Sequence, residues 1–364
     1  LWALSITADN CVPLVRDGAH TAAMAAARAH VGDVEVARYA CNALQFLALA
    51  DGLRITLVRD GAHAVVMIAA RAHASDVEVA RAACDTLQYL AAAADNHVPL
   101  MRAGMHTVVM IAARTHSSDV EVARAACGVL RDLAIAADNR VPLVRDGAHT
   151  VVMTAARAHA GDVYVVRAAC GTLWNLAEVA SNKLPLVRDG AHTAVMAAAR
   201  AHAGDVEVAR AACGALQNLA VAADNKVPLF RSGAHTAVMA AARAHAGDVE
   251  VARAACGALQ NLSIAADNKV PLMRDGAHTA VMAAARTHAG DVAVVQAACG
   301  TLRNLAVADG LEVPLVRDGA HTAVLTAARA HPGDVAIARS VCGALQNLAF
   351  AVDNRVPLVR DGAH

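Results

Sequence analysis

The cysteines fix a period. Eight of the nine stand at Cys41, Cys84, Cys127, Cys170, Cys213, Cys256, Cys299 and Cys342, each 43 residues from the next. The run Arg-Asp-Gly-Ala-His keeps the same step, ending at His20, His63, His149, His192, His278, His321 and His364. It is altered to Arg-Ala-Gly-Met-His at His106 and to Arg-Ser-Gly-Ala-His at His235. A chain that restates itself at such an interval builds one small unit per period. Each unit must bury its apolar face against its neighbours, so the chain stacks into an array rather than closing into separate domains.

The unit reads as three helices. In the stretch from Asn225, Pro228 sits near the start of a short first helix, where its missing N–H costs little. Gly233 ends that helix, since glycine enters the left-handed region at no steric cost. A second helix is predicted from Thr236 to His245, and Gly247 stops it. Asp248 then caps a third helix predicted from Val249 to about Ala265. One period earlier, Val206, Ala209, Cys213, Leu216 and Ala220 form an apolar stripe at helical spacing, and Glu207, Arg210, Gly214 and Asn218 form a polar one. Full repeats fall at about 10–52, 53–95, 96–138, 139–181, 182–224, 225–267, 268–310 and 311–353, between the end of a preceding repeat at 1–9 and a partial repeat at 354–364.

Three helices per unit, the glycine of Asp-Gly-Ala and the run Ala-Leu-Gln-Asn-Leu-Ala at 215–220 and 344–349 resemble the armadillo repeat. Related runs stand at 172–177, 258–263 and 301–306. The resemblance implies an all-α fold, a right-handed α-solenoid (superhelix) whose third helices line a concave groove. It also implies a role for an asparagine in holding the backbone of an extended peptide. The matching positions are Asn175, Asn218, Asn261, Asn304 and Asn347, preceded in the early repeats by Ala3, Phe46, Tyr89 and Asp132. A side-chain amide offers both a donor and an acceptor, so it can pair with any peptide backbone. Importin-type armadillo proteins carry tryptophan four residues before this asparagine. Here that position is Gly171, Gly214, Gly257, Gly300 or Gly343, while Trp2 and Trp174 lie one residue before the ladder position. This argues against importin-type cargo binding.

Two turns before the asparagine stands an arginine, including Arg167, Arg210, Arg253 and Arg339. These favour an acidic or phosphorylated ligand through charge-assisted hydrogen bonds, unless glutamates three residues away neutralise them. Tyr164 and Ala336 replace that glutamate, so Arg167 and Arg339 are expected to be the most available. Two histidines per repeat lie too far apart to share a metal within one unit; the one closing the second helix is expected to face the helix dipole. One core cysteine per repeat, with no Cys-x-x-Cys pair, points to a small buried residue in a reducing compartment.

Thirty-two basic and 32 acidic residues cancel, which gives no global case for nucleic acid. No run reaches the roughly 18 apolar residues of a membrane span, and Leu1-Trp2-Ala3-Leu4 has no basic leader. Neither end carries a polar capping repeat, so the chain is expected to be a segment of a longer protein. No nucleophile elbow, phosphate loop or zinc-protease motif occurs, and no metal or cofactor is expected. The expected function is a non-enzymatic scaffold for a protein or peptide partner. Alternatives are a structural solenoid within a large assembly, for example a ciliary or cytoskeletal one, and a nuclear transport adaptor unlike the importins. The expected location is the cytoplasm, with nucleus or cilium as alternatives.

Overall fold

A computed structural model describes residues 8–362. Trp2, Ala3 and His364, and nearly all of the partial repeat expected over 1–9, lie outside the described residues. The described residues form 25 α-helices with short 3-10 turns and no strand. The chain divides into two compact units, Leu1–Asn182 and Lys183–His364. In both, successive third helices pack on one another as an α-solenoid: Val34–Ala48, Val77–Ala91, Val120–Leu133 and Val163–Leu176 in the first, and Val206–Leu219, Val249–Leu262, Val292–Leu305 and Val335–Leu348 in the second.

Local chemistry sets the boundaries. In each repeat a glycine with φ between 80° and 89° turns the chain from the first helix into the second, Gly233 being one (φ 88°). Each third helix opens on its aspartate, whose carboxylate accepts from the amide three residues on, at 2.9 Å for Val251 and Asp248. The helix predicted to reach Ala265 ends instead at Leu262. The reason lies six residues on: buried Asn268 donates Nδ2 to the Leu262 carbonyl at 3.0 Å and so caps the last turn. The apolar stripe is buried from Ala209 onward, with Leu259 and Leu262 nearly inaccessible, whereas Val206 at its start is half-buried and Val208 takes its place in the core. Truncating one such leucine to alanine costs about 2–5 kcal/mol.

Polar side chains staple each repeat to the one before or after it. Asn96, Asn139, Asn225 and Asn268 each donate to a carbonyl 42 residues earlier, at 3.0–3.2 Å, as well as to their own third helix. His106, His235, His278 and His321 lie 2.8–3.1 Å from an aspartate 40 residues later. The histidine closing the second helix does more than face a dipole. His73, His116, His245 and His288 place Nε2 2.8–3.0 Å from a turn carbonyl of the preceding repeat.

Candidate functional site

The candidate face is the outward polar stripe of the third helices. In the second unit Asn218, Asn261, Asn304 and Asn347 are half-buried on it. Nδ2 of Asn261 donates to the Gln217 carbonyl at 3.2 Å, that of Asn304 to Gln260 at 3.4 Å and that of Asn347 to Arg303 at 3.5 Å. These long bonds to the preceding third helix orient the amides. Asn304 Nδ2 also donates to Ser263 Oγ at 3.1 Å, so among the described residues Asn261 and Asn347 keep Oδ1 and one N–H uncommitted, and Asn304 keeps its Oδ1. In the first unit Asn175 is likewise half-buried, and Trp174 beside it is 38% exposed.

The arginines behave differently from the asparagines. Arg210 bridges Glu207 at 2.7 Å and Asp248, the cap of the next third helix, at 2.5 Å. Arg253 bridges Glu250 and Asp291, each at 2.5 Å. Arg124 makes the same triad with Glu121 and Asp162, and Arg81 with Glu78 and Asp119. The Arg210 guanidinium holds the Asp248 carboxyl down at about 2. These charges are spent inside the solenoid. Arg167, expected to be available, is engaged as well. Arg339 is exposed and makes no ion pair among the described residues.

Helical glycines four residues before the ladder position, Gly128, Gly257, Gly300 and Gly343, are seats. A Cβ on Gly128 would come within 2.6 Å of Gln88 Nε2, and on Gly343 within 2.8 Å of Arg303 Cδ. Gln217 and Gln260 lie over Gly257 and Gly300 still more closely. The position that would need a tryptophan wall is therefore covered by the preceding repeat's own glutamine or arginine.

In the first unit the same face is irregular. Phe46 and Tyr89 are half-buried at the ladder position, and Asp132 is buried beside Arg131 at 2.9 Å. Burial raises the Asp132 carboxyl, against the pull of Arg131. Asp85, in the glycine seat of its repeat, is pushed up to about 6 by burial, with Glu121 adding to the shift.

Two series escaped the sequence reading. The first is the buried asparagine staple: Asn225 and Asn268 look no different in sequence from Asn218 and Asn261, seven residues earlier. The second is apolar. Val221, Ile264, Val307 and Phe350, three residues after the ladder asparagines, are 52–70% exposed. Reading the third helix through Ala265 placed Ile264 inside that helix rather than in the turn that ends it.

All nine cysteines are free, and burial pushes the thiols of Cys41, Cys84, Cys127, Cys170, Cys213, Cys256 and Cys299 up to about 12. Cys342, on the last third helix, is exposed. Among the described residues no group of three or more His, Cys, Asp or Glu is placed to hold a metal, and no single helix is long and apolar enough to cross a membrane.

The LRRK2 ARM repeat family model matches residues 230–356. No curated protein matches the chain. A chain solved in work on a conserved phosphorylation switch controlling the interaction between cadherin and β-catenin is similar at a TM-score of 0.82. That likeness covers 98% of this chain and 71% of the other at 19% identity, which speaks for the fold. Three-helix units, capped third helices, glycine turns and these two likenesses converge on the fold: an α-solenoid of armadillo-type repeats.

Proposed function

We propose that the chain is a non-enzymatic protein-binding scaffold, and that Asn218, Asn261, Asn304 and Asn347 of its second unit hold the backbone of an extended partner segment. One observation carries this reading: four consecutive repeats present a half-buried amide at the same position, and in three of them a bond to the preceding third helix orients it with Oδ1 uncommitted among the described residues. Asn175 presents the same group in the first unit, with Trp174 as an apolar neighbour. An extended segment offers unpaired N–H and C=O groups to such amides. The neighbour fold from cadherin–β-catenin work agrees with a protein partner, including one under phosphorylation control. Arg210 and Arg253 are spent in triads, so they offer little to an acidic or phosphorylated side chain. Free cysteines fit a reducing interior such as the cytoplasm, nucleus or cilium.

The test is a pull-down from the native source with the chain and with its Asn218→Ala, Asn261→Ala, Asn304→Ala variant, circular dichroism confirming that both fold. A partner kept by the chain and lost by the variant supports the ladder. Equal capture by both sinks it.

A second reading is a structural element packed side-on in a large assembly. It draws on the first helices, where Val270, Val313 and Val356 are 54%, 41% and 76% exposed. Equal capture by both proteins favours that reading.

A further inference from the structure

The exposed apolar series and the asparagine ladder run unbroken through the same repeats. Val221, Ile264 and Phe350 each sit in the turn that ends a third helix, with the amide bonded to the carbonyl of the ladder residue Asn218, Asn261 or Asn347 at 3.2–3.4 Å. At these three steps the exposed apolar residue lies one turn from the ladder amide, and Val307 holds the same position after Asn304. In the first unit the corresponding series is broken, since Ala92 follows Leu49 and Glu178 follows Ile135. Contiguous exposed apolar surface in a repeating row marks an interaction surface.

Charge lies along the same row. Asp224, Asp267, Asp309 and Asp353 follow the apolar residues by two or three positions, are exposed, and make no ion pair among the described residues. Their place at the start of the first helices suits the helix dipole. It still leaves a negative charge beside each apolar step.

Spacing decides the conformation of the occupant. Packed helices lie about 8–10 Å apart. A polyproline II segment advances about 3.1 Å per residue with three residues per turn, so every third side chain recurs at about 9.3 Å on one side. A β-strand repeats its face every two residues, about 6.6 Å, and falls out of step.

We infer that the second unit selects a partner segment in polyproline II conformation, with an apolar side chain at every third position and lysine or arginine between. This specificity rests on the ladder reading above: the amides hold the backbone, Val221, Ile264, Val307 and Phe350 take the apolar side chains, and the aspartates take the cations.

The probe is a fluorescein-labelled peptide of Leu-Lys-Pro repeated four times, titrated with the full chain in an anisotropy assay. Controls are a peptide of the same composition with its leucines contiguous, and one with glutamate in place of lysine. The repeat peptide should bind at least about tenfold more tightly than either control. Val221→Ser, Ile264→Ser, Val307→Ser should weaken it by about tenfold or more, as should Asn218→Ala, Asn261→Ala, Asn304→Ala. If the triple serine variant fails to fold, Val307→Ser alone serves. Binding lost in the asparagine variant but kept in the serine variants overturns the apolar selection and leaves the ladder standing. The opposite pattern overturns the ladder as backbone holder, and with it the inference that rests on it. Equal binding of all three peptides, or no binding, also overturns the inference.

Discussion

The two units share their internal fastenings and differ in the face they turn outward. Both carry the buried asparagine staple, the histidine–aspartate contact and the glutamate–arginine–aspartate triad. On the outward stripe the second unit repeats one amide and one apolar side chain through four repeats. The first unit offers Phe46, Tyr89, Asp132 and Asn175 in turn, with two raised carboxyls, Asp85 and Asp132, among them. Repetition therefore has two separable causes. Positions that bind the neighbouring repeat are held alike because every joint has the same geometry. Positions that face outward are free to differ, and uniformity there is information about a ligand.

The largest expected effect should be blind to the difference. Asn139→Ala in the first unit and Asn268→Ala in the second each strand two buried carbonyls, and each should cost about 2–3 kcal/mol in urea unfolding. Unequal losses would mean that the joints are not equivalent.

The next effect separates the units. The Asp85 carboxyl lies near 6 when folded and at 3.8 in its ordinary state. Its raised value means that the folded chain bears a penalty above pH 6, which fades as the pH falls toward 4. Asp85→Asn should therefore stabilise by about 1–2 kcal/mol at pH 7.5, discounted for partial exposure, and by almost nothing at pH 4. No counterpart exists in the second unit, where that position holds Gly214, Gly257, Gly300 and Gly343.

Smaller still is the triad. The Asp248 carboxyl is depressed to about 2, so its contribution is present above pH 4 and disappears as the pH falls through 2. Arg210→Gln should destabilise slightly at pH 7, less in high salt, and should flatten the acid limb of the stability profile. Arg124→Gln in the first unit should match it. Least of all, Asn261→Ala should shift stability by no more than about 0.5 kcal/mol, since the bond it loses is long and half-buried, while still weakening partner capture.

The architecture was legible in the sequence because a period, an aspartate cap and a turn glycine are local signals. The Asp248 cap and the Gly233 turn needed no knowledge of the neighbouring repeat. The candidate site was legible only in part. Asn218 and Asn225 are chemically identical, and what separates them is that Asn225 meets the Lys183 carbonyl 42 residues away. The engagement of Arg210 with Asp248 spans 38 residues and follows from stacking, which a helical wheel of one unit does not contain. The exposure of Val221 and Ile264 depended on three residues at a helix end, and that end is set by the buried asparagine.

Among the described residues the staples reach about one period along the chain, so load within each unit passes joint by joint. Four joints lack a staple: Ala103 and Ser232 stand where an aspartate would meet His63 and His192, and Leu53 and Leu311 stand where the buried asparagine would be. In an optical trap these are the joints where rupture would begin, two within each unit. The repeat thus writes a mechanical property, the position of its weakest links, into single missing polar side chains.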